Sequence, residues 1–292
     1  MKKNKLIKLK FFLLFLLFLF LKIFFNILNE QKYNRDEITL ITALFKIKSK
    51  YNFANYENWV KNLLQINTSI LFFVDRAIFP KIKSMRPKIL QNKTVWIKTD
   101  IQEFYTYKKF KTDFQRAHDI DKEKRIHTVL LYLVWAEKCF FIKKAIKLNF
   151  FKSKCFYWID AGFFRKKNVI QNLNGWPSNK KCIEDPRVLV NSIRTKEVTN
   201  KELKILKNLD TNNSIFKSFM NKINVGGGFF GGKSDYLLKF IKLYVKTIKL
   251  FIKHSIFIGK DQNLFAYIAY LRKDIVKTIY SGDWYYLFDY LK

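Results

Sequence analysis

A long helix, a short apolar strand and an acid follow one another without a break between residues 126 and 162, and no other stretch restricts the fold as tightly. Residues 126–148 read as a helix whose apolar run, 129–136, is too short to span a bilayer and long enough to pack across a sheet. The segment NFFKSKCFYWIDAGFFR, residues 149–165, then reads as a helix end, a buried strand at 155–159 and an abrupt stop at Asp160-Ala161-Gly162. A carboxylate just past such a strand, on a turn loosened by Gly162, stands where open α/β sheets put ligand chemistry. The same position also suits an Asp that does no more than cap a strand-to-loop turn. Taken alone, the residues leave both open.

The rest of the chain repeats the alternation. Residues 37–45, 69–74, 94–98, 187–193 and 275–280 read as strands. Residues 52–66, 236–253 and 261–273 read as helices, the first with Phe53, Tyr56, Val60, Leu63 and Leu64 on one side. Strands that alternate with helices and end at polar residues predict a mostly parallel, doubly wound α/β sheet flanked by helices. With 49% of 292 residues apolar, the chain can bury the core of one large domain, taken as 37–292. Asp75 and Asp100 close two of these strands, as caps or as ribose contacts. Residues 172–185 read as a surface loop beside the same edge, placed to shape an acceptor site.

The N-terminus is set apart. Residues 1–10 hold five lysines, and residues 11–28 are apolar except for Lys22 and Asn26. Eighteen helical residues reach about 27 Å, close to the thickness of the hydrocarbon layer. The basic flank comes first, which predicts a type II signal anchor with a cytosolic N-terminus, a short stem at 29–36 and the domain across the membrane. In a eukaryote that side would be the ER or Golgi lumen. Three cysteines, Cys139, Cys155 and Cys182, without CxxC spacing predict neither a disulfide framework nor a thiolate metal site. Cys155 is expected as a small core residue. Three scattered histidines argue against zinc.

The formal charge of +33 would suit nucleic acid, but only nine of the 56 basic residues are arginine. Base and phosphate recognition leans on arginine's planar fork. No specific nucleic-acid partner is therefore expected, and most of the charge is read as solvated lysine. Lys239, Lys242, Lys246, Lys249 and Lys253 form one such stripe at helical spacing.

Two further motifs complete the pattern: the glycine run VGGGFFGG at 225–232 and IGKDQ at 258–262. Together with EITLITALF, the YLVWAEKCFFIKKAIKLNFFKSKCFYWIDAGFFR block and the closing GDWYYLFDYL, they resemble the WlaTC/HtrL (HtrL/YibB-like) family of glycosyltransferase-like proteins. The likeness runs from about Glu37 to the C-terminus. Where the family carries an Asp-Ile-Gly-Arg-like tetrad after its first strand, this chain has Lys46-Ile47-Lys48-Ser49.

The resemblance implies a GT-A-like fold, a nucleotide-sugar donor and a glycan or lipid-linked acceptor. It implies that Asp160 serves a divalent cation, Mn or Mg, or the donor itself, and that Asp261 acts as general base. Thr42, Gly162, Gly226, Gly227, Gly228, Lys233 and Gln262 become the implied substrate contacts, with the glycines framing the site as a loop. Asp160-Ala161-Gly162 lacks the second acid of the Asp-x-Asp motif, so metal dependence stays open. GGFFGGKS also satisfies the phosphate-loop pattern, but no later strand supplies a Mg²⁺ partner and the match is read as coincidental. Two rival functions remain: a membrane-tethered sugar- or nucleotide-binding protein without catalysis, and a basic nucleic-acid-associated protein.

Overall fold

The computed structural model describes residues 12–17, 36–171, 173 and 175–292. The expected basic flank, most of the expected span and, but for Asp36, the expected stem lie outside the described residues. Of the span, residues 12–17 are helical and exposed. Among the described residues no helix is long and apolar enough to cross a membrane.

The apolar runs become strands β1 (Ile38–Leu44), β2 (Ser69–Asp75), β3 (Thr94–Thr99), β4 (Cys155–Ile159), β5 (Val188–Ser192), β6 (Val225–Lys233) and β7 (Val276–Tyr280). They form one sheet in the order β3-β2-β1-β4-β6-β5-β7. Pairings β1–β2, β2–β3, β1–β4 and β5–β7 are parallel, while β6 runs antiparallel to β4 and β5. The fold is mixed α/β with a mostly parallel sheet, as the alternation predicts, with one reversed strand inside it.

Helices cover both faces. They are α1 (Phe53–Leu63), α2 (Phe79–Ser84), α3 (Tyr105–Asp119), α4 (Val129–Leu148), α5 (Lys180–Glu184), α6 (Asn200–Lys207), α7 (Ser214–Asn221), α8 (Ser234–Lys253), α9 (Asp261–Leu271) and α10 (Tyr286–Tyr290). Because strand side chains alternate, β1 sends Ile41 and Ala43 into one core with α3, α4, α8 and α9. Leu40 and Leu44 enter the other, with α1, Trp176 and Phe288. The five lysines of α8 are all exposed, so the stripe is a solvent face.

Helix α4 aims the chain at the site. The side chain of Thr128 accepts from Leu131 N at its start, and Asn149 ends it in the left-handed region at φ 34°. Asn149 Oδ1 then accepts from Ser153 N at 2.8 Å, fixing the turn into β4.

Two expectations are corrected. The glycine run is a strand, not a loop: β6 pairs Phe156 with Gly232 and Leu189 with Gly231. A Cβ on Gly231 would lie 2.3 Å from Phe156 O, and one on Gly232 would lie 2.6 Å from Arg187 O. Glycine is there because neighbouring backbone leaves no room for a side chain. As a strand, GGFFGGKS cannot wrap a phosphate. The second correction concerns Cys155, which is buried in β4 and bonded to Cys182, 27 residues away. Cys139 is free and buried.

A disulfide closing that loop stabilises the fold by about 3–4 kcal/mol in the chain-entropy account. Unfolded without reductant, the chain should expose one reactive thiol and not three, and Cys155→Ser should lower the unfolding free energy by that amount. Three thiols titrated under those conditions would contradict the pairing.

Candidate functional site

The sheet order reverses direction at β1. From there β2 and β3 build one way and β4 the other, and ligands of open α/β sheets bind in the crevice outside such a switch point. A cavity of about 160 Å³ lies at that place, lined by residues following β1 (Phe45, Ile47, Ser49), the start of the loop after β4 (Asp160, Ala161, Gly162) and Lys138 from α4. Its walls are aromatic: Tyr56, Trp59, Trp135, Trp158, Phe163, Trp284 and Tyr285. A second cavity of about 620 Å³ shares Phe163, Arg165 and Tyr285 with the first. Arg165 stands at this junction with its guanidinium carbon 5.0 Å from the Tyr51 ring and 4.9 Å from the Trp59 ring.

At the base of the cleft three distant segments meet around one ammonium group. Lys138 Nζ lies 3.1 Å from Asp160 Oδ1 and 2.9 Å from Asp261 Oδ2, and donates to Gly227 O at 2.9 Å. The lysine side chain is 4% exposed and that of Asp261 5%, whereas Asp160 is 41% exposed and faces the cleft. Asp261 Oδ2 is buried, and the Lys138 ammonium is its charge partner.

Asp160 is held from three sides. Its backbone N–H donates to Gly228 O at 2.8 Å, Trp158 Nε1–H donates to its Oδ1 at 2.7 Å, and Lys138 reaches the same oxygen. Gly227 and Gly228 let the carboxylates this close. A Cβ on Gly227 would stand 3.0 Å from Asp261 Oδ2, and one on Gly228 would stand 3.2 Å from Asp160 Oδ2.

Burial works against the charge on Lys138, but the two carboxylates outweigh it and hold its pKa up. Burial pushes the Asp261 carboxyl up, with Lys138 pulling the other way. Next along α4, Glu137 is buried and accepts from Tyr105 N, Thr106 N and Thr106 Oγ1 at the start of α3. Its burial outweighs these donors and raises its pKa to about 7.

The implied contacts do not fall in one place. Asp160, Gly162 and Gly228 line the first cavity, and Gly227 backs it. Gly226 packs near Ile193 and Trp284 O. Thr42 is fully buried within β1, lines no cavity and has an unpartnered hydroxyl, so it cannot touch a ligand there. Lys233 is exposed opposite Cys155 at the far end of β4, about 16 Å from Asp160 at strand rise. Gln262 lines a separate cavity of about 740 Å³ with Lys260 and Asn263. Asp261, expected as the general base, does not line the cleft: it points inward from the start of α9, where its partner is Lys138. Sequence pattern alone does not single out Lys138. Its signal was an adjacent Glu-Lys pair inside the apolar stretch of α4, where charges are rarely buried without partners.

Two facing carboxylates are a donor set that suits a divalent cation. Here the point between Asp160 and Asp261 is taken by Lys138 Nζ, so these residues do not fit a resident metal. One other group, Asp121, Glu123 and His127, brings its ligand atoms within 4.8 Å of one another and could hold a divalent cation. Asp121 Oδ2 already holds His127 Nδ1 at 2.9 Å and the Tyr132 hydroxyl, and Glu123 is paired with Lys260. A cation there would sit beside the cavity of Gln262.

Comparison with known proteins adds the following. The family model described as "Bacterial protein of unknown function (HtrL_YibB)" matches residues 36–292. Protein HtrL of Escherichia coli (strain K12) is 22% identical over 285 residues, covering 87% of this chain and 92% of that protein. Core-mannan synthase A from Aspergillus fumigatus, in its Mn/GDP form, superposes with a TM-score of 0.42 at 12% identity, over 84% of this chain and 73% of that one. 4-Diphosphocytidyl-2C-methyl-D-erythritolsynthase from Anaerococcus prevotii gives 0.36 at 9% identity, over 84% and 86%. Both scores are too low for detail to transfer.

Gly227→Ala should cost about 1–3 kcal/mol, since its Cβ meets a carboxylate that Lys138 holds in place. Gly226→Ala, with its nearest neighbours at 3.8 Å, should cost less than about 0.5 kcal/mol. Equal costs would contradict the packing. Glu137 supplies a pH test. With its pKa raised from 4.5 to about 7 on folding, it adds stability that is fully present below pH 4.5 and lost as pH rises through about 7. Thermal unfolding of Glu137→Gln should therefore lose less stability than wild type between pH 5 and 8. Parallel curves would refute the assignment.

Proposed function

We propose that this chain, which belongs to the HtrL_YibB family of bacterial proteins, transfers a sugar from a nucleotide-sugar donor to a glycan or lipid-linked acceptor on a GT-A-like fold. One observation carries the reading. The acid after β4, the glycines of β6 and the acid at the start of α9 converge on a single cluster, at the sheet edge where α/β enzymes bind ligands. Supporting it are the family resemblance in the same three motifs and an aromatic cleft able to stack on a base or a sugar ring.

In this reading the donor lies in the cleft with its anomeric carbon near Asp160, whose Oδ2 faces outward. The acceptor hydroxyl adds to that carbon as the bond to the diphosphate oxygen breaks, and the diphosphate leaves with the electron pair. Asp160 takes the hydroxyl proton as the new bond forms. Asp261 and Lys138 hold Asp160 in place and touch neither substrate. Residues 11–28 would anchor the chain, with the domain beyond the membrane. The Cys155–Cys182 bond suits an oxidising compartment on that side. Protease added to spheroplasts should then digest the domain, and protection that is lost only when the inner membrane is permeabilised would place it in the cytosol.

A panel of nucleotide sugars offered to the full chain in detergent should release nucleoside diphosphate from one of them. Asp160→Asn should lower that rate by about 10²-fold or more while the protein stays folded. A folded wild-type protein with neither turnover nor nucleotide binding would sink the proposal. Nucleotide binding that survives Asp160→Asn, with no turnover from any donor, would favour the non-catalytic binder, a reading to which the neutralised acids lend weight.

A further inference from the structure

A donor diphosphate needs positive charge beside it, and a divalent cation is the usual source. The cleft has a different supply. Lys138 Nζ stands at 3.1 and 2.9 Å from the two carboxylates, at the point a bridging cation would occupy, and it donates a hydrogen bond to Gly227 O. Gly227 backs one carboxylate and Gly228 the other, and a Cβ on either would come within 3.0 or 3.2 Å of a carboxylate oxygen, so the acids sit close around an ammonium-sized group. The charge facing the ligand comes from Arg165. It lines both connected cavities, stacks against Tyr51 and Trp59, and donates to Tyr51 Oη at 3.3 Å. Arg165 is exposed, and because the two rings meet at 81° its guanidinium rests over the corner they form, which leaves a planar fork of donors of the kind that suits phosphate.

We propose that the cleft binds a nucleoside diphosphate without a divalent cation, Lys138 standing in for the metal between Asp160 and Asp261 and Arg165 meeting the phosphates. The inference rests on the donor class read above and adds how that donor is held. Lys138 cancels carboxylate charge that would otherwise repel a diphosphate, and it does so permanently, because it is covalently part of α4. Arg165 is a binding residue; Lys138 is a positioning residue.

The test is calorimetric titration of UDP and GDP into the full chain in detergent, once with EDTA and once with Mn²⁺, together with Mn²⁺ binding followed by electron paramagnetic resonance. Expected is an affinity for one nucleotide that changes less than about twofold between EDTA and Mn²⁺, no Mn²⁺ bound at the cleft, and at least about a tenfold loss in Arg165→Ala. Lys138→Ala should reverse the pattern: it binds Mn²⁺ between the freed carboxylates and binds nucleotide only when Mn²⁺ is present. A structural role alone would not create that metal requirement. Wild-type binding that falls tenfold or more in EDTA would overturn the inference and leave the transferase reading standing. No binding of either nucleotide in either buffer would remove both. If Lys138→Ala fails to fold, the wild-type comparison and Arg165→Ala still decide the matter.

Discussion

An ammonium group enclosed between two carboxylates organises this protein. Removing one partner of a buried pair leaves an uncompensated charge and costs about 3–5 kcal/mol, so Lys138, Asp160 and Asp261 constrain one another more strongly than any surface pair could. The consequence is architectural. Helix α4, the end of β4 and the start of α9 must arrive at one point, and β6 must pass between them without side chains at Gly227 and Gly228. The cleft is the outer side of that junction.

This explains why the acids differ in role. Asp160 is tied at one oxygen and open at the other, which leaves it able to meet a ligand. Asp261 spends its charge inward, at the N-terminus of α9, where the helix dipole also favours an anion. The aromatic walls and Arg165 then define what the open side can take. The overall charge of +33 contributes little to this arrangement. Its lysines lie largely on solvent faces such as that of α8, and the one that matters most is buried.

Much of the scaffold was legible in the sequence because apolar runs bounded by polar residues have few other uses. The strands at β1, β2, β3, β4, β5 and β7 and the helices α1, α4, α8 and α9 follow from pattern, whereas the convergence of three motifs is what the family resemblance implies. The glycine strand did not, because strand propensity is read from side chains and β6 has almost none between Gly226 and Gly228. Its identity is set by Phe156 O and Arg187 O on neighbouring strands, which no local pattern records. Lys138 was hidden by the run around it, Thr42 by its apolar neighbours, and the Cys155–Cys182 pair by the fact that bonding depends on distance in space, not on spacing in sequence. Gln262 follows Asp261, and Lys233 ends the strand that holds Gly227 and Gly228, yet both face elsewhere, Lys233 at the other end of the strand and Gln262 toward a different cavity.

The most direct measurement is a double-mutant cycle on folding stability between Lys138→Met and Asp261→Asn, read by urea unfolding of the full chain in detergent. A shared buried charge pair predicts a coupling free energy of about 2 kcal/mol or more, with the double variant more stable than the sum of the single losses allows. A coupling below about 0.3 kcal/mol would mean that the two side chains do not hold each other, and the account of the cleft built on them would be wrong.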